Sequence, residues 1–152
     1  MGDAAQNTDR IEREIMIEAP IERVWGLVSQ PGWWIGDGDR SRQTITREGD
    51  LVVLDVPPYG RFGVLPVAAD APAYVSFRGN ADPGERPGEG NSTLVEFFLT
   101  EKDGGTLVRV VESGFDTMYP SPERRADALR GNTEGWETQL DYAKRDTENA
   151  SR

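Results

Sequence analysis

The sequence predicts an α+β fold, in which a curved antiparallel sheet of about seven strands wraps around one long C-terminal helix. Short segments of alternating apolar and polar residues recur through most of the chain, turn-forming residues separate them, and one long amphipathic segment follows the last of them. Two short helices are expected after the first strand. A sheet closed by one helix encloses an interior, and we expect an apolar pocket there.

Alternation is clearest in the first predicted strand, Ile11–Glu18, where Ile11, Ile15 and Ile17 share one face. Each further strand-like segment is bounded by Gly, Pro, Asp or Asn. These segments are Gln43–Arg47, Asp50–Val56, Arg61–Ala68, Ala73–Arg78, Thr93–Glu101 and Thr106–Ser113. Their short spacing is typical of an antiparallel meander.

The last two strands are predicted to form a hairpin. Asp103 and Gly104 suit a two-residue turn in which both positions have positive φ. This turn sets the register of the opposing pairs, which are Leu99 with Val108, Phe97 with Val110 and Val95 with Glu112. One face of the hairpin is therefore apolar except for a single carboxylate, Glu112.

The segment after the first strand is expected to contain two short helices. Pro20 opens the first, because a missing N–H is harmless in the first turn of a helix. Its apolar stripe consists of Ile21, Val24, Leu27 and Val28. The following segment, Gln30–Asp39, is interrupted by Pro and Gly and forms at most one helical turn.

The long helix is predicted to begin after Ser121, which can cap it, with Pro122 at its first position. Its apolar stripe continues to about Arg145. Gly131 and Gly135 interrupt the stripe, and each is less favourable in a helix than Ala by about 1 kcal/mol. Either they let the helix approach the sheet closely or kink, or they leave room for a ligand.

Length and composition indicate one domain of residues 11–146, with disordered tails at 1–10 and 147–152. The Gly- and Pro-rich segment Gly79–Ser92 is expected to be a long mobile loop. The chain has no Cys, no apolar run that could span a bilayer and no signal-peptide core, so we expect a cytoplasmic protein, either a monomer or a weak dimer. The net charge of −10 argues against nucleic acids and anionic membranes as partners.

The absence of His and Cys restricts the chemistry of this chain. It excludes the usual zinc sites and the Ser–His and Cys–His nucleophiles. The Gly-rich segment lacks the context of a phosphate-binding loop, and Asp37 and Asp39 do not complete a calcium loop. No cofactor or metal is therefore expected, and any catalysis would use Glu112, Asp116, a tyrosine or water.

Several blocks of the sequence resemble one known family. They are Glu18–Trp25, the pair Trp33-Trp34, Gly105–Phe115, Asn132–Trp136, and Gln139 with Leu140. Over about Ile11–Lys144 they are similar to bacterial homologues of the activator of the heat-shock protein 90 ATPase. This family belongs to the START-like (SRPBCC) helix-grip superfamily, with the polyketide cyclases and birch-pollen allergens. The resemblance implies a pocket between helix and sheet, but the superfamily includes lipid and polyketide binders, cyclases, stress proteins and co-chaperones, so it does not fix an activity.

The pocket lining expected from the strand alternation and the helix stripe is mostly aromatic. It comprises Trp33, Trp34, Phe62, Tyr74, Phe77, Phe97, Val110, Glu112, Phe115, Trp136 and Leu140. Each aromatic residue also fits ordinary core packing, because large apolar side chains are usually buried. A cavity of about 300–1,000 Å³ would hold a lipid-like or polyketide-like aromatic molecule mainly by burial.

Glu112 is the residue whose type fits its predicted surroundings least. If it points inward, burial would raise its pKa unless a cation or hydrogen-bond donors compensate, and the candidate partners are Arg23, Arg61 and Arg78. A carboxyl in this position could orient a ligand or act as a general base. Alternatively, Glu112 lies at the strand end, where it is solvated or held in an ion pair.

The sequence favours binding of a small hydrophobic molecule without catalysis, because the usual catalytic residue types are missing. Whether any catalysis occurs is left open. One alternative is a polyketide cyclase or dehydratase that uses Glu112. Another is a stress-response module that binds a protein partner, with a heat-shock protein 90 chaperone as the candidate.

Overall fold

The structure, a computed structural model, describes residues 9–81 and 85–149. Its elements are β1 Arg10–Ile17, α1 Ile21–Val28, β2 Thr44–Glu48, β3 Leu51–Val56, β4 Gly60–Asp70, β5 Tyr74–Ala81, β6 Thr93–Lys102, β7 Gly105–Ser113, α2 Phe115–Met118 and α3 Pro122–Asn149. The parts of the expected tails and of the Gly79–Ser92 loop that fall at 1–8, 82–84 and 150–152 lie outside the described residues.

The strands form one antiparallel sheet in the order β1-β7-β6-β5-β4-β3-β2. The predicted β6–β7 hairpin is confirmed, because Asp103 and Gly104 have φ values of 51° and 82°. Its register is also confirmed: Phe97 opposes Val110, and Val95 opposes Glu112. The inner face of the sheet is therefore apolar around one carboxyl group.

The second short helix predicted after β1 is absent from the described residues. Residues 31–38 instead form successive turns, in which Gly32, Gly36 and Gly38 have φ values of 78°, 105° and 90°. These left-handed conformations interrupt a helix. At Gly32 a Cβ atom would also lie 2.6 Å from Leu54 Cδ2, so packing as well as φ favours glycine. The turns direct Trp33 and Trp34 into the interior, where both are buried.

Helix α3 is capped by Ser121, whose Oγ accepts a hydrogen bond from Arg124 N at 3.4 Å. The helix continues beyond the predicted end at Arg145, and residues 147–149, expected to belong to a disordered tail, are helical. Thr147 is buried there, which explains the extension, and its hydroxyl donates to Ala143 O at 2.7 Å. None of the described helices is both long enough and apolar enough to cross a lipid bilayer.

Polar contacts hold α3 in place on both of its sides. Towards β1, Lys144 Nζ donates to Met16 O at 3.0 Å. Towards the turns after α1, Gln139 Nε2 donates to Gly36 O at 2.7 Å, and Arg40 forms an ion pair with Asp146 at 2.6 Å. The helix therefore lies over the inner face of the sheet, between β1 and the loop that carries the two tryptophans.

Candidate functional site

The space between α3 and the sheet is occupied largely by aromatic rings. The Phe97 ring centroid lies 5.3 Å from that of Trp33, 5.5 Å from that of Trp34 and 5.7 Å from that of Trp136. All four side chains are at most 6% exposed. Tilted and edge-to-face contacts at these distances are favourable packing arrangements. The space between α3 and the sheet is therefore a packed aromatic core, and the described residues do not enclose there the large cavity expected from the sequence.

A smaller open space remains beside this core, on one side of α3. It has a volume of about 150 Å³ and is lined by Trp34, Glu112, Gly131, Asn132, Gly135, Trp136 and Gln139. We call it the α3 cleft. Gly131 and Gly135 are exposed and form its rim, and the buried side chains of Glu112, Trp34 and Trp136 form its inner wall.

Glu112 is the buried ionisable group of the cleft, and only 5% of its surface is exposed. Its Oε2 accepts a hydrogen bond from Thr93 Oγ1 at 2.5 Å, and its Oε1 accepts one from Trp136 Nε1 at 2.8 Å. Asn132 Nδ2 lies 3.4 Å and 3.5 Å from the two oxygens. Residues from β6, β7 and α3 thus meet at one carboxyl group.

In the part of the chain that the structure describes, the partners of Glu112 are neutral donors. Burial raises the pKa of Glu112, and the hydrogen bonds from Thr93, Trp136 and Asn132 oppose this rise. No Lys or Arg of the described residues forms an ion pair with it. Glu112 lies next to the end of β7, as the alternative interpretation expected, but it is buried and has no ion pair within the described residues, so the solvated and ion-paired states expected there are wrong.

The arginines suggested as partners of Glu112 are placed differently. Arg23 donates to Thr147 O and Arg78 to Ser92 O, each at 3.4 Å, and Arg61 is exposed. The donors that do contact Glu112 come from α3 and from the start of β6. The alternation of a strand indicates which of its faces is buried, but it does not indicate which helical residue packs against that face. The arginine partners were therefore predicted wrongly.

Gly131 and Gly135 border the cleft because they have no side chain. A Cβ atom built at either position would meet nothing within 4 Å. The glycines therefore do not serve a close approach of the helix to the sheet, which was one of the two interpretations of the sequence. They lie at the open rim of the cleft, and the interpretation that they leave room for a ligand stays a prediction.

The structure brings together only part of the predicted lining. Trp34, Glu112 and Trp136 border the cleft, and Trp33 contacts both tryptophans from the core side. Six residues lie in the core or pack against it, away from the cleft, namely Phe62, Phe77, Phe97, Val110, Phe115 and Leu140. Tyr74 is on the opposite face of the sheet, where its ring lies 5.1 Å from that of Phe98 and its hydroxyl donates to Glu96.

Sequence reasoning did not include Asn132 and Gln139 in the lining, although both belong to the C-terminal block that carried the family resemblance. Their spacing from Trp136, four residues before it and three after it, puts all three on one side of a helix. That spacing is the signal that could have identified them. Gln139 contributes a buried Oε1 with no hydrogen-bond partner among the described residues.

A second, larger groove of about 520 Å³ lies between β1 and α3. Its walls are mainly charged, and they include an ion pair between Arg13 and Glu137 at 3.2 Å and another between Arg10 and Glu12. These side chains are well exposed to solvent, and such pairs contribute little energy. The residues that line this groove include no aromatic side chain, whereas two tryptophans and a buried carboxyl line the α3 cleft.

The fold is similar to that of several solved structures. Protein Ms6760 from Mycobacterium smegmatis is 21% identical and matches over 95% of this chain and 94% of its own, with a TM-score of 0.65. The Aha1 dimer from Colwellia psychrerythraea is 17% identical over 91% of this chain and 96% of its own, also with a TM-score of 0.65. DynU16, a protein in the dynemicin biosynthetic locus, is 19% identical over 90% of this chain but 46% of its own, with a TM-score of 0.63.

No family model and no curated protein matches this chain. At these identities the structural neighbours show the fold alone. Together with the seven-stranded antiparallel sheet and the long C-terminal helix, they confirm the predicted helix-grip fold. The closer resemblance to the family of the heat-shock protein 90 ATPase activator stays a prediction.

Proposed function

We propose that the protein binds one small aromatic molecule in the α3 cleft. The observation that carries this proposal is the open space of about 150 Å³, bordered by a buried carboxyl and by two indole rings whose centroids are 6.0 Å apart. Aromatic walls favour the burial of a flat apolar molecule, and a few polar groups at fixed positions orient it. This combination is typical of small-molecule sites.

The volume of the cleft narrows the class of ligand that the sequence suggested. An engineered protein cavity of about 150 Å³ accommodates benzene. Lipid chains and multi-ring polyketides are several times larger, and would need the packed aromatic core to open. We therefore favour a ligand with one aromatic ring, whose substituents reach the open rim at Gly131 and Gly135.

General acid–base catalysis by Glu112 is a second candidate function. It is favoured by one observation, the position of a carboxyl with a raised pKa in the wall of an open cleft. A cyclase or dehydratase would use such a group, and the neighbour DynU16 belongs to a biosynthetic locus. This alternative and the co-chaperone hypothesis stay predictions.

A thermal-shift screen tests the binding proposal. We expect one-ring aromatic probes to raise the melting temperature, whereas palmitate and a four-ring aromatic compound do not. A ligand at ten times its Kd stabilises the folded protein by about 1.4 kcal/mol. For a domain of this size, that corresponds to a rise of roughly 3–6 °C. If no one-ring probe shifts the transition, or if only the large ligands do, the proposal is wrong.

Blocking the rim of the cleft should abolish this response. Gly135→Leu places a side chain at the rim, where the Cβ position is open, so the variant should fold and bind the best probe at least about tenfold more weakly. Gly26→Leu is the matched control, because Gly26 is also an exposed helical glycine with nothing within 4 Å of a Cβ atom. Calorimetric titration of both variants provides the comparison. Unchanged affinity in Gly135→Leu would place the ligand elsewhere.

A further inference from the structure

Two polar side chains of the α3 cleft lack part of the donors or positive charge that would stabilise them. Glu112 is the clearer case. A carboxylate has two oxygens with about four acceptor sites. In the structure each oxygen has one close donor, Thr93 on Oε2 and Trp136 on Oε1, and Asn132 Nδ2 lies 3.4 and 3.5 Å from the two oxygens; all three donors are neutral. A buried carboxylate is costly unless it is paired with a positive charge. Glu112 is therefore a buried carboxyl group on the wall of an open cleft, and the partners it has among the described residues are all neutral.

Gln139, which also lines the cleft, carries an unsatisfied acceptor. The amide orientation is fixed by chemistry, because only the nitrogen can donate to Gly36 O, which lies 2.7 Å away. The buried Oε1 is consequently the atom that lacks a partner within the described part of the chain. An unsatisfied buried carbonyl destabilises a protein by about 1–3 kcal/mol. Two residues that line the cleft are thus incompletely matched, since Glu112 has only neutral partners and Gln139 Oε1 has none among the described residues.

The aromatic walls are suited to the same kind of group. Trp34 and Trp136 border the cleft with their rings inclined by 37°. The face of an indole ring attracts a cation, and the attraction strengthens when water is excluded. The net charge of −10 further favours the approach of a cation over that of an anion.

We propose that the ligand of the α3 cleft is an organic cation with N–H donors on an aromatic ring, of the arylamidinium or arylguanidinium class. Its N–H groups donate to Glu112, and its ring lies against Trp34 and Trp136. A planar cation of this kind combines the charge that Glu112 lacks with donors that can reach a second acceptor. This inference rests on the proposed function, and it adds the charge and hydrogen-bonding character of the ligand.

Benzamidinium and benzamide form a matched pair of probes, because they have nearly the same shape but differ in charge and in donor number. Calorimetric titration of the full chain should show that benzamidinium binds at least about tenfold more tightly than benzamide. In Glu112→Gln this preference should disappear through weaker benzamidinium binding, with benzamide affected little. Gln keeps the size of the side chain but removes its charge.

Non-specific attraction to an acidic protein is separated from binding in the cleft by the rim variants. Gly135→Leu should weaken benzamidinium binding, whereas Gly26→Leu should not. If Glu112→Gln does not fold, these two variants still test whether benzamidinium binds in the cleft. Equal affinities for the two probes, a preference for benzamide, or benzamidinium binding that persists in Gly135→Leu would overturn the cation proposal. If Gly135→Leu removes benzamide binding, the proposed function stands even where the cation proposal fails. If neither probe binds, both the cation proposal and the proposed function are contradicted.

Discussion

Replacing Phe97 with Ala is expected to lower the free energy of unfolding by about 3–5 kcal/mol. Phe97 is fully buried, and its ring contacts Trp33, Trp34 and Trp136 at centroid distances of 5.3–5.7 Å. Removing it leaves a cavity between three large, rigid side chains that cannot easily collapse into it. Urea unfolding followed by circular dichroism measures the loss.

The neighbouring residue provides the control for this prediction. Phe98 points to the outer face of the sheet, where it is partly exposed and contacts Tyr74 and Arg109. Phe98→Ala removes the same atoms from a surface site, so we expect it to cost less than half as much as Phe97→Ala. Equal losses from the two variants would contradict the placement of the aromatic core on the inner face.

Trp136→Phe is expected to destabilise the protein more at neutral pH than at acid pH. The substitution removes the indole N–H that donates to Glu112 Oε1 at 2.8 Å. A hydrogen bond to a charged group contributes about 1.5–3 kcal/mol, which sets the upper range for the additional loss at a pH above the folded pKa of Glu112 relative to a pH below it. The loss of ring contacts is the same at both pH values. Denaturant unfolding at the two pH values measures the difference.

The sign of this effect follows from the pKa of Glu112. Because burial raises the pKa of Glu112 above its ordinary value of 4.5, the folded protein holds this proton more strongly than the unfolded chain does. The contribution of Glu112 to stability is therefore largest below pH 4.5 and falls as the pH rises through the folded pKa. Trp136→Phe raises that pKa further, since it removes a donor that favours the ionised form.

Glu112→Gln provides the reference for this measurement. A neutral amide at position 112 does not titrate, so in this background the cost of Trp136→Phe should no longer depend on pH. Subtracting the pH dependence measured in the Glu112→Gln background from that in the wild type also removes the contribution of other titrating carboxyl groups. A cost of Trp136→Phe that is the same at both pH values in the wild type would contradict an ionised Glu112 paired with the indole.

Much of the fold could be predicted from the sequence, because local signals determine it. Alternation located the strands, and the Asp103-Gly104 turn determined the register that opposes Val95 to Glu112. The second short helix was predicted wrongly, because Gly32 adopts a positive φ at a position where a Cβ atom would clash with Leu54, a residue distant in sequence. Local patterns do not contain that contact.

The site was less predictable, because it depends on how separate elements meet. The prediction that Tyr74 lines the interior is wrong. Phe77 is buried on the inner face, and alternation with period two puts Tyr74, three residues earlier, on the outer face, as in the structure. The donors to Glu112 come from elements far apart in sequence. The size of the open space could not be predicted either, because it is what remains after the aromatic rings interdigitate.

Binding of a small aromatic molecule at the α3 cleft is tested most directly by NMR titration of the four ¹⁵N-labelled indole groups with benzamidinium. Trp34 and Trp136 border the cleft, whereas Trp25 lies on α1. We predict saturable shifts of the Trp34 and Trp136 N–H signals and an unchanged Trp25 signal. Shifts confined to Trp25, or no shift of Trp34 and Trp136 at any concentration of either benzamidinium or benzamide, would contradict a binding site in the cleft.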